Sequence, residues 1–204
     1  MIHASQEGLR LLRLWIGVIG IIAAACTIVP ADTSTDFPFQ RLMTPEDLPA
    51  GWGRAGGEAP EVPGALSRSV RFAGSTNPRQ EYLSIEHQLT VYPDDQLAQD
   101  SYPEWERTWF PTEKWQRPAQ ATFVPLDPKD QFRFACINVA INGVPLMSCR
   151  YLQQHHNLVA LIIVNIDNKT MTLEQFEYAL KRLDERLQDI NSASLVTAQA
   201  TASP

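Results

Sequence analysis

The chain reads as an α+β domain: a mainly antiparallel sheet of about five or six strands, closing in a C-terminal meander and covered by helices as an α-β-α sandwich. Three observations predict it. Asn142-Gly143 stands between two strand-like runs, residues 131–141 and 144–153, as a preferred two-residue hairpin turn. Residues 158–166, LVALIIVNI, are almost continuously apolar, whereas a strand with one wet face would alternate, so this strand is expected to be central and covered on both sides. Leu173, Phe176, Leu180, Leu183, Leu187 and Ile190 recur at three- and four-residue spacing, the apolar stripe of a helix laid on a sheet.

In chain order, Arg10 and Arg13 precede an uncharged apolar run, residues 14–29, that contains Ala23-Ala24-Ala25-Cys26. A basic start, an apolar middle and small residues at a cleavage point make the grammar of a secretory signal. The run of about 16 residues is shorter than the 20 or so of a spanning helix. The segment resembles a bacterial lipoprotein signal, in which the cysteine after two small residues becomes the lipidated first residue of the mature chain. Ala24, Ala25 and Cys26 match that pattern, and Ala23 stands where the family usually carries Leu. The resemblance implies lipidation at Cys26. The same residues also satisfy the A-x-A pattern of ordinary cleavage, and an uncleaved segment would serve as an anchor with Arg10 and Arg13 on the cytoplasmic side. All three readings place the folded part on the extracytoplasmic side of a cell membrane, attached through the N-terminus in two of them.

Charge narrows the partners. The formal net charge is −6, and residues 1–25 hold two arginines against one glutamate, so the exported remainder carries −7. That balance argues against nucleic acid or anionic lipid headgroups as a general partner. Export also agrees with the cysteines: three are present, and setting Cys26 aside leaves an even pair in a compartment where disulfides persist.

The expected organisation is a signal or anchor over residues 1–29, a linker over 30–41, one domain over 42–190 and a disordered tail over 191–204. Thr44-Pro45-Glu46-Asp47 has the residues of a short helix start, and residues 48–52, LPAGW, follow as a turn in which Trp52 plugs the sheet edge. Gly51, Gly53 and Gly56 spell G-x-G-x-x-G. The dinucleotide site needs a strand before these glycines and a helix after them, and here Pro49 precedes and residues 57–63, GEAPEVP, follow, so the match is expected to be chance.

Residues 66–72 alternate, and residues 83–92 do so clearly, with Leu83, Ile85, His87, Leu89 and Val91 on one face. Asp94 is expected to cap a helix whose Leu97, Tyr102, Trp105 and Trp109 share a face, with Pro103 kinking it or opening a second helix from Ser101. Residues 121–124 read as one further short strand. In the hairpin, Ile141 faces Val144 and every facing pair of residue numbers shares that sum, which sets Cys136 opposite Cys149. Counting from the turn puts them at a non-hydrogen-bonded position, where Cα atoms lie about 4.5 Å apart, within disulfide reach. Thr172 and Gln175 form a capping box for the last helix, and Glu177 and Lys181 an i,i+4 pair on its outer side.

No catalytic, cofactor or metal constellation is expected. There is no G-x-S-x-G elbow, H-E-x-x-H, P-loop or EF-hand loop. His87 reads as a core-edge histidine. His155-His156 reads as a solvated turn, because adjacent residues of a strand point to opposite faces and no acid at ligand spacing accompanies them. A hydrolase would need His87 clustered with His155 or His156 and an acid, all within about 4 Å. Tyr102, Trp105, Trp109 and Trp115 are the one unusual local composition: exposed, they would form a platform for a glycan or small molecule, and at helical spacing they would pack on the sheet.

Over residues 42–190 the domain resembles the Mog1/PsbP-like group of α-β-α sandwiches, on the LPAGW start, the strand pair RYLQQHHNLVALIIVNI and the closing amphipathic helix. Members of that group mostly serve as accessory, assembly or ligand-binding modules. The resemblance thus implies a non-catalytic module that binds a partner protein, with ligand binding through the aromatic segment as the alternative.

Overall fold

A computed structural model describes residues 37–75, 80, 82–167 and 169–200, with side chains in the last helix as far as Gln188. Cys26, the apolar run and most of the linker lie outside the described residues. Among the described residues no helix is long and apolar enough to cross a membrane.

The hairpin forms in the expected register. Strand β4 (Gln131–Ile141) pairs antiparallel with β5 (Val144–His155), Ile141 facing Val144 and Cys136 facing Cys149. Asn142 and Gly143 take φ of 52° and 79°, the left-handed pair that lets a two-residue turn follow the twist of the strands. Cys136 and Cys149 are joined in a disulfide with Cα atoms 4.0 Å apart. The backbone of Cys136 points away from β5 and exchanges both hydrogen bonds with Gln116, at 2.8 and 3.1 Å, so a loop covers part of this edge.

Strand β6 (Leu158–Ile166) lies between β5 and β3 (Ser84–Val91), beyond which come β2 (Leu66–Ala73) and the short edge strand β1 (Gly53–Gly56). The sheet order is β1-β2-β3-β6-β5-β4, antiparallel throughout. Helices cover both faces. Helix α2 (Leu173–Ala200) packs Phe176, Leu180, Leu183 and Leu187 with Ile85, Leu89, Ile162 and Val164. Helix α1 (Asp95–Trp109) packs Ala98 and Tyr102 with Leu152, Val159 and Leu161 on the other face. The continuous apolar character of β6 is thereby explained: its alternate residues serve two cores.

Capping follows the sequence closely. Asp94 accepts from Leu97 N at 2.8 Å, and Thr172 and Gln175 form the reciprocal box, Thr172 N to Gln175 Oε1 at 2.9 Å and Gln175 N to Thr172 Oγ1 at 3.2 Å. Trp52 is buried and donates through Nε1 to Thr170 O at 3.1 Å. The glycines of the G-x-G-x-x-G string run into an edge strand and then loop, with no helix after them, so they form no phosphate cradle.

Several expectations give way. The folded part begins at Phe37 rather than at residue 42, because Phe37 is buried in the core and the guanidinium of Arg68 lies 5.7 Å from its ring centre. Helix α1 continues through Pro103 without a second start at Ser101, and Leu97 is exposed while Ala98 takes its place against the sheet. Residues 121–124 are not a strand. Their backbone is held by a side chain: Glu177 accepts from Thr122 N and Oγ1 and from Phe123 N at 2.7–3.1 Å, and among the described residues it makes no ion pair with Lys181. The backbone of α2 stays helical to Ala200, past the expected start of a tail, in a segment with no glycine or proline to stop it.

Candidate functional site

A dense polar cluster sits where β5 turns into β6. His155 closes β5 opposite Leu158, leaving His156 and Asn157 as a two-residue turn. Such turns favour left-handed residues, and His156 takes φ of 50°. That conformation breaks the strand alternation. The rings of His155 and His156 therefore meet edge to face with centres 4.7 Å apart instead of pointing to opposite faces. Neighbouring groups hold the turn: Gln154 Nε2 donates to His156 O at 2.6 Å, Asn157 Nδ2 to Tyr92 O at 2.8 Å, and Tyr92 N to Asn157 O at 2.8 Å.

A second turn, Asp127-Pro128-Lys129-Asp130, brings two carboxylates to the histidines. Asp130 N donates to Asp127 O at 3.1 Å, and Lys129 N to Asp127 Oδ1 at 2.9 Å. His155 Nδ1 lies 2.8 and 3.0 Å from the two oxygens of Asp130, with both side chains almost fully buried. His156 Nδ1 lies 3.0 Å from Asp95 Oδ2 at the start of α1, in a pair about half exposed. One ligand atom each from Asp127, His155 and His156 lie within 4.8 Å of one another.

Behind this trio runs a buried network. Gln153 Nε2 donates to Asp130 Oδ2 and to Asp184 Oδ1, each at 2.7 Å, while its Oε1 accepts from Tyr151 OH at 2.9 Å. Asp184 Oδ2 accepts from Leu126 N at 2.8 Å. Burial raises the pKa of Asp184, and the neighbouring Asp130 adds to the rise against the lowering effect of the amide donors. Burial likewise pushes the Tyr151 hydroxyl well above its ordinary range, with both aspartates adding to the shift, so Tyr151 is a neutral donor. The network holds Asp130 in place, and Asp130 holds His155.

The other residues singled out in the sequence are dispersed. His87 is fully buried under the first turns, accepting from Met43 N through Nδ1 at 3.0 Å, while its Nε2 has no hydrogen-bond partner among the described residues. It faces Ile162, whereas His155 faces Leu158, so the two histidines lie two strands apart. The four-residue offset along β6 adds about 13 Å at the usual strand rise. They cannot act on one substrate atom.

The aromatic segment is largely committed to packing. Tyr102 and Trp115 are buried; Trp105 and Trp109 are half-buried, and Trp105 Nε1 donates to Tyr92 OH at 2.8 Å. Arg150 lies with its guanidinium 4.1 Å from the Trp115 ring centre and 5.4 Å from that of Trp109, and Arg133 lies 4.5 Å from Phe110. Cationic side chains of the sheet thus take ring faces on which a sugar would stack. A groove of about 570 Å³ lies elsewhere, between Leu48-Pro49 and the start of α2 at Glu174 and Tyr178.

Asp127 and Asp130 are not legible as neighbours of the histidines, because at least 25 positions separate them. One signal was available for Asp130: the register sum that pairs the cysteines, carried one residue past Gln131 and Gln154, sets Asp130 opposite His155. No family model, curated protein or solved structure matches the chain.

Proposed function

We propose that the protein is a membrane-attached extracytoplasmic accessory module, without catalysis of its own, that docks a partner protein along α2. The signal-like segment ending at Cys26 supports export and attachment, and the Cys136–Cys149 disulfide is of the kind that persists outside the cytoplasm. The resemblance to Mog1/PsbP-like sandwiches supports the accessory role.

The observation that carries the docking reading is a pair of apolar side chains left exposed on a segment fixed to α2. Val124 and Leu126 are 61% and 57% exposed, although the backbone beside them is held to α2 through Glu177 and Asp184. Apolar side chains projecting from a fixed backbone lose little entropy on being covered, which favours an interface.

The test is co-purification of the full chain from detergent-solubilised membranes, beside a Val124→Ser/Leu126→Ser variant whose thermal midpoint matches the wild type. A partner held by the wild type and lost from the variant is the expected result. A partner held equally by both, or by neither, overturns the reading. Mass spectrometry of the mature N-terminus tests the attachment, a diacylglyceryl mass on Cys26 being expected.

A further inference from the structure

We propose that Asp127, His155 and His156 form a binding site for a divalent transition-metal ion of the Zn²⁺ class. The site is independent of the docking surface on α2.

The donor set comes first. Two imidazoles and a carboxylate are ligands suited to Zn²⁺ and its neighbours, and three protein ligands leave a position open to water. The ligand atoms lie within 4.8 Å of one another. Tetrahedral ligands at about 2.1 Å from a metal stand roughly 3.4 Å apart, so binding draws the trio together by an ångström or so. His156 is exposed and Asp127 sits in a surface turn, so both can make that movement by side-chain rotation while the buried His155 stays fixed.

The surroundings come second. Each histidine has its Nδ1 against a carboxylate, Asp130 for His155 and Asp95 for His156. A carboxylate accepts, so in each ring Nδ1 is the nitrogen that donates to it. Carboxylate-oriented imidazoles are the usual second layer of a metal site, where they fix the tautomer and raise ligand basicity. Two histidines set this way by two different acids is more than a surface turn requires.

Charge comes third. Asp95 and Asp130 lie against the two rings and Asp127 stands beside them, and among the described residues none of these three acids pairs with a Lys or Arg side chain. An occupant of charge +2 is the counter-ion this cluster calls for. The left-handed backbone at His156 agrees: a side chain kept where glycine or asparagine would be less strained marks a position held for what the side chain does.

The test uses the full chain in detergent micelles, stripped with a chelator and titrated with Zn²⁺ alone by calorimetry. One equivalent is expected to bind. His156→Asn tolerates the left-handed turn and Asp127→Asn keeps the acceptor for Lys129 N, so both variants retain the metal-free thermal midpoint while Zn²⁺ affinity falls at least tenfold in each. Asp95→Asn, which touches only the second layer, is expected to weaken binding by about 10–100-fold. His3→Asn, in the N-terminal segment, changes nothing. Wild-type protein that takes up no saturating equivalent, or affinity that falls less than tenfold in either His156→Asn or Asp127→Asn, overturns the proposal.

Discussion

His87 shows how a single buried residue sets a pH dependence. Burial, reinforced by the charge of Arg186, lowers its pKa to about 3, so the imidazole stays neutral in the folded chain at ordinary pH. The unfolded chain protonates near 6.5. Between these values the unfolded state binds a proton that the folded state refuses. Stability from this residue is therefore complete above about 6.5 and falls as pH drops toward 3, by up to about 1.4 kcal/mol per unit. Urea unfolding at about pH 7.5 and about pH 5 should show a loss of roughly 2 kcal/mol from this residue alone. His87→Gln, which keeps an acceptor for Met43 N, should flatten that part of the slope; parallel slopes in the two proteins would refute the assignment. Asp184 works in the opposite sense, since a carboxyl with a raised pKa favours folding at lower pH, but it is common to both proteins and cancels in the comparison. His87 was legible as a core histidine because alternation along its strand assigns each side chain a face. His156 was not, because one left-handed residue cancels alternation, and no residue type announces that conformation as glycine does.

At the scale of elements, the hairpin β4–β5 and the segment held by α2 respond differently to mutation. The disulfide closes a loop between residues 13 apart. Its main effect is to restrict the unfolded chain, by about 3 kcal/mol for a loop of this length. Cys136→Ala/Cys149→Ala should lower the unfolding free energy by about 2–4 kcal/mol without altering the folded register, as denaturant titration and amide protection along β5 would report. Unchanged stability would mean that the ladder already holds the ends together in the unfolded ensemble. Glu177→Ala removes the acceptor for two backbone amides and a hydroxyl of residues 122–123. A loss of about 1–2 kcal/mol is expected, with faster hydrogen exchange confined to residues 121–126. Exchange unchanged there would show that Phe123, packed edge-on against Tyr151, suffices to hold the segment. The strands, the cysteine pair and the capping box of α2 were readable because period, turn type and capping are local rules. The seat of residues 121–126 was not, because the acceptors for its Thr122, Phe123 and Leu126 amides come from a helix more than fifty positions later. Residues 121–124 carry the composition of a strand but do not join the edge of β4, part of which Gln116 covers at Cys136.

Across the whole molecule, the two halves of the chain meet in the sheet only where β3 lies against β6, since β1 to β3 occupy one side and β4 to β6 the other. A second join runs through α2. Arg186 donates to Leu42 O at 3.1 Å and to Thr44 Oγ1 at 3.4 Å, and its guanidinium pairs with the buried carboxylate of Asp47. Asp47 in turn accepts from Thr44 N at 2.7 Å, completing the first turn of the domain. A buried ion pair contributes little over an apolar replacement, but removing one partner strands the other charge, at a penalty of about 3–5 kcal/mol. Arg186→Met should therefore destabilise the domain by about 3 kcal/mol, and Asp47→Asn/Arg186→Met should recover most of the loss, because no buried charge then lacks its counter-ion. Denaturant unfolding of the four proteins measures the coupling. If the pair is the second join, the single variant also loses amide protection at residues 42–48 before the sheet opens. If Arg186→Met unfolds within about 0.5 kcal/mol of the wild type, the first turns are carried by Leu42, Met43 and Trp52 in the core rather than by the ion pair.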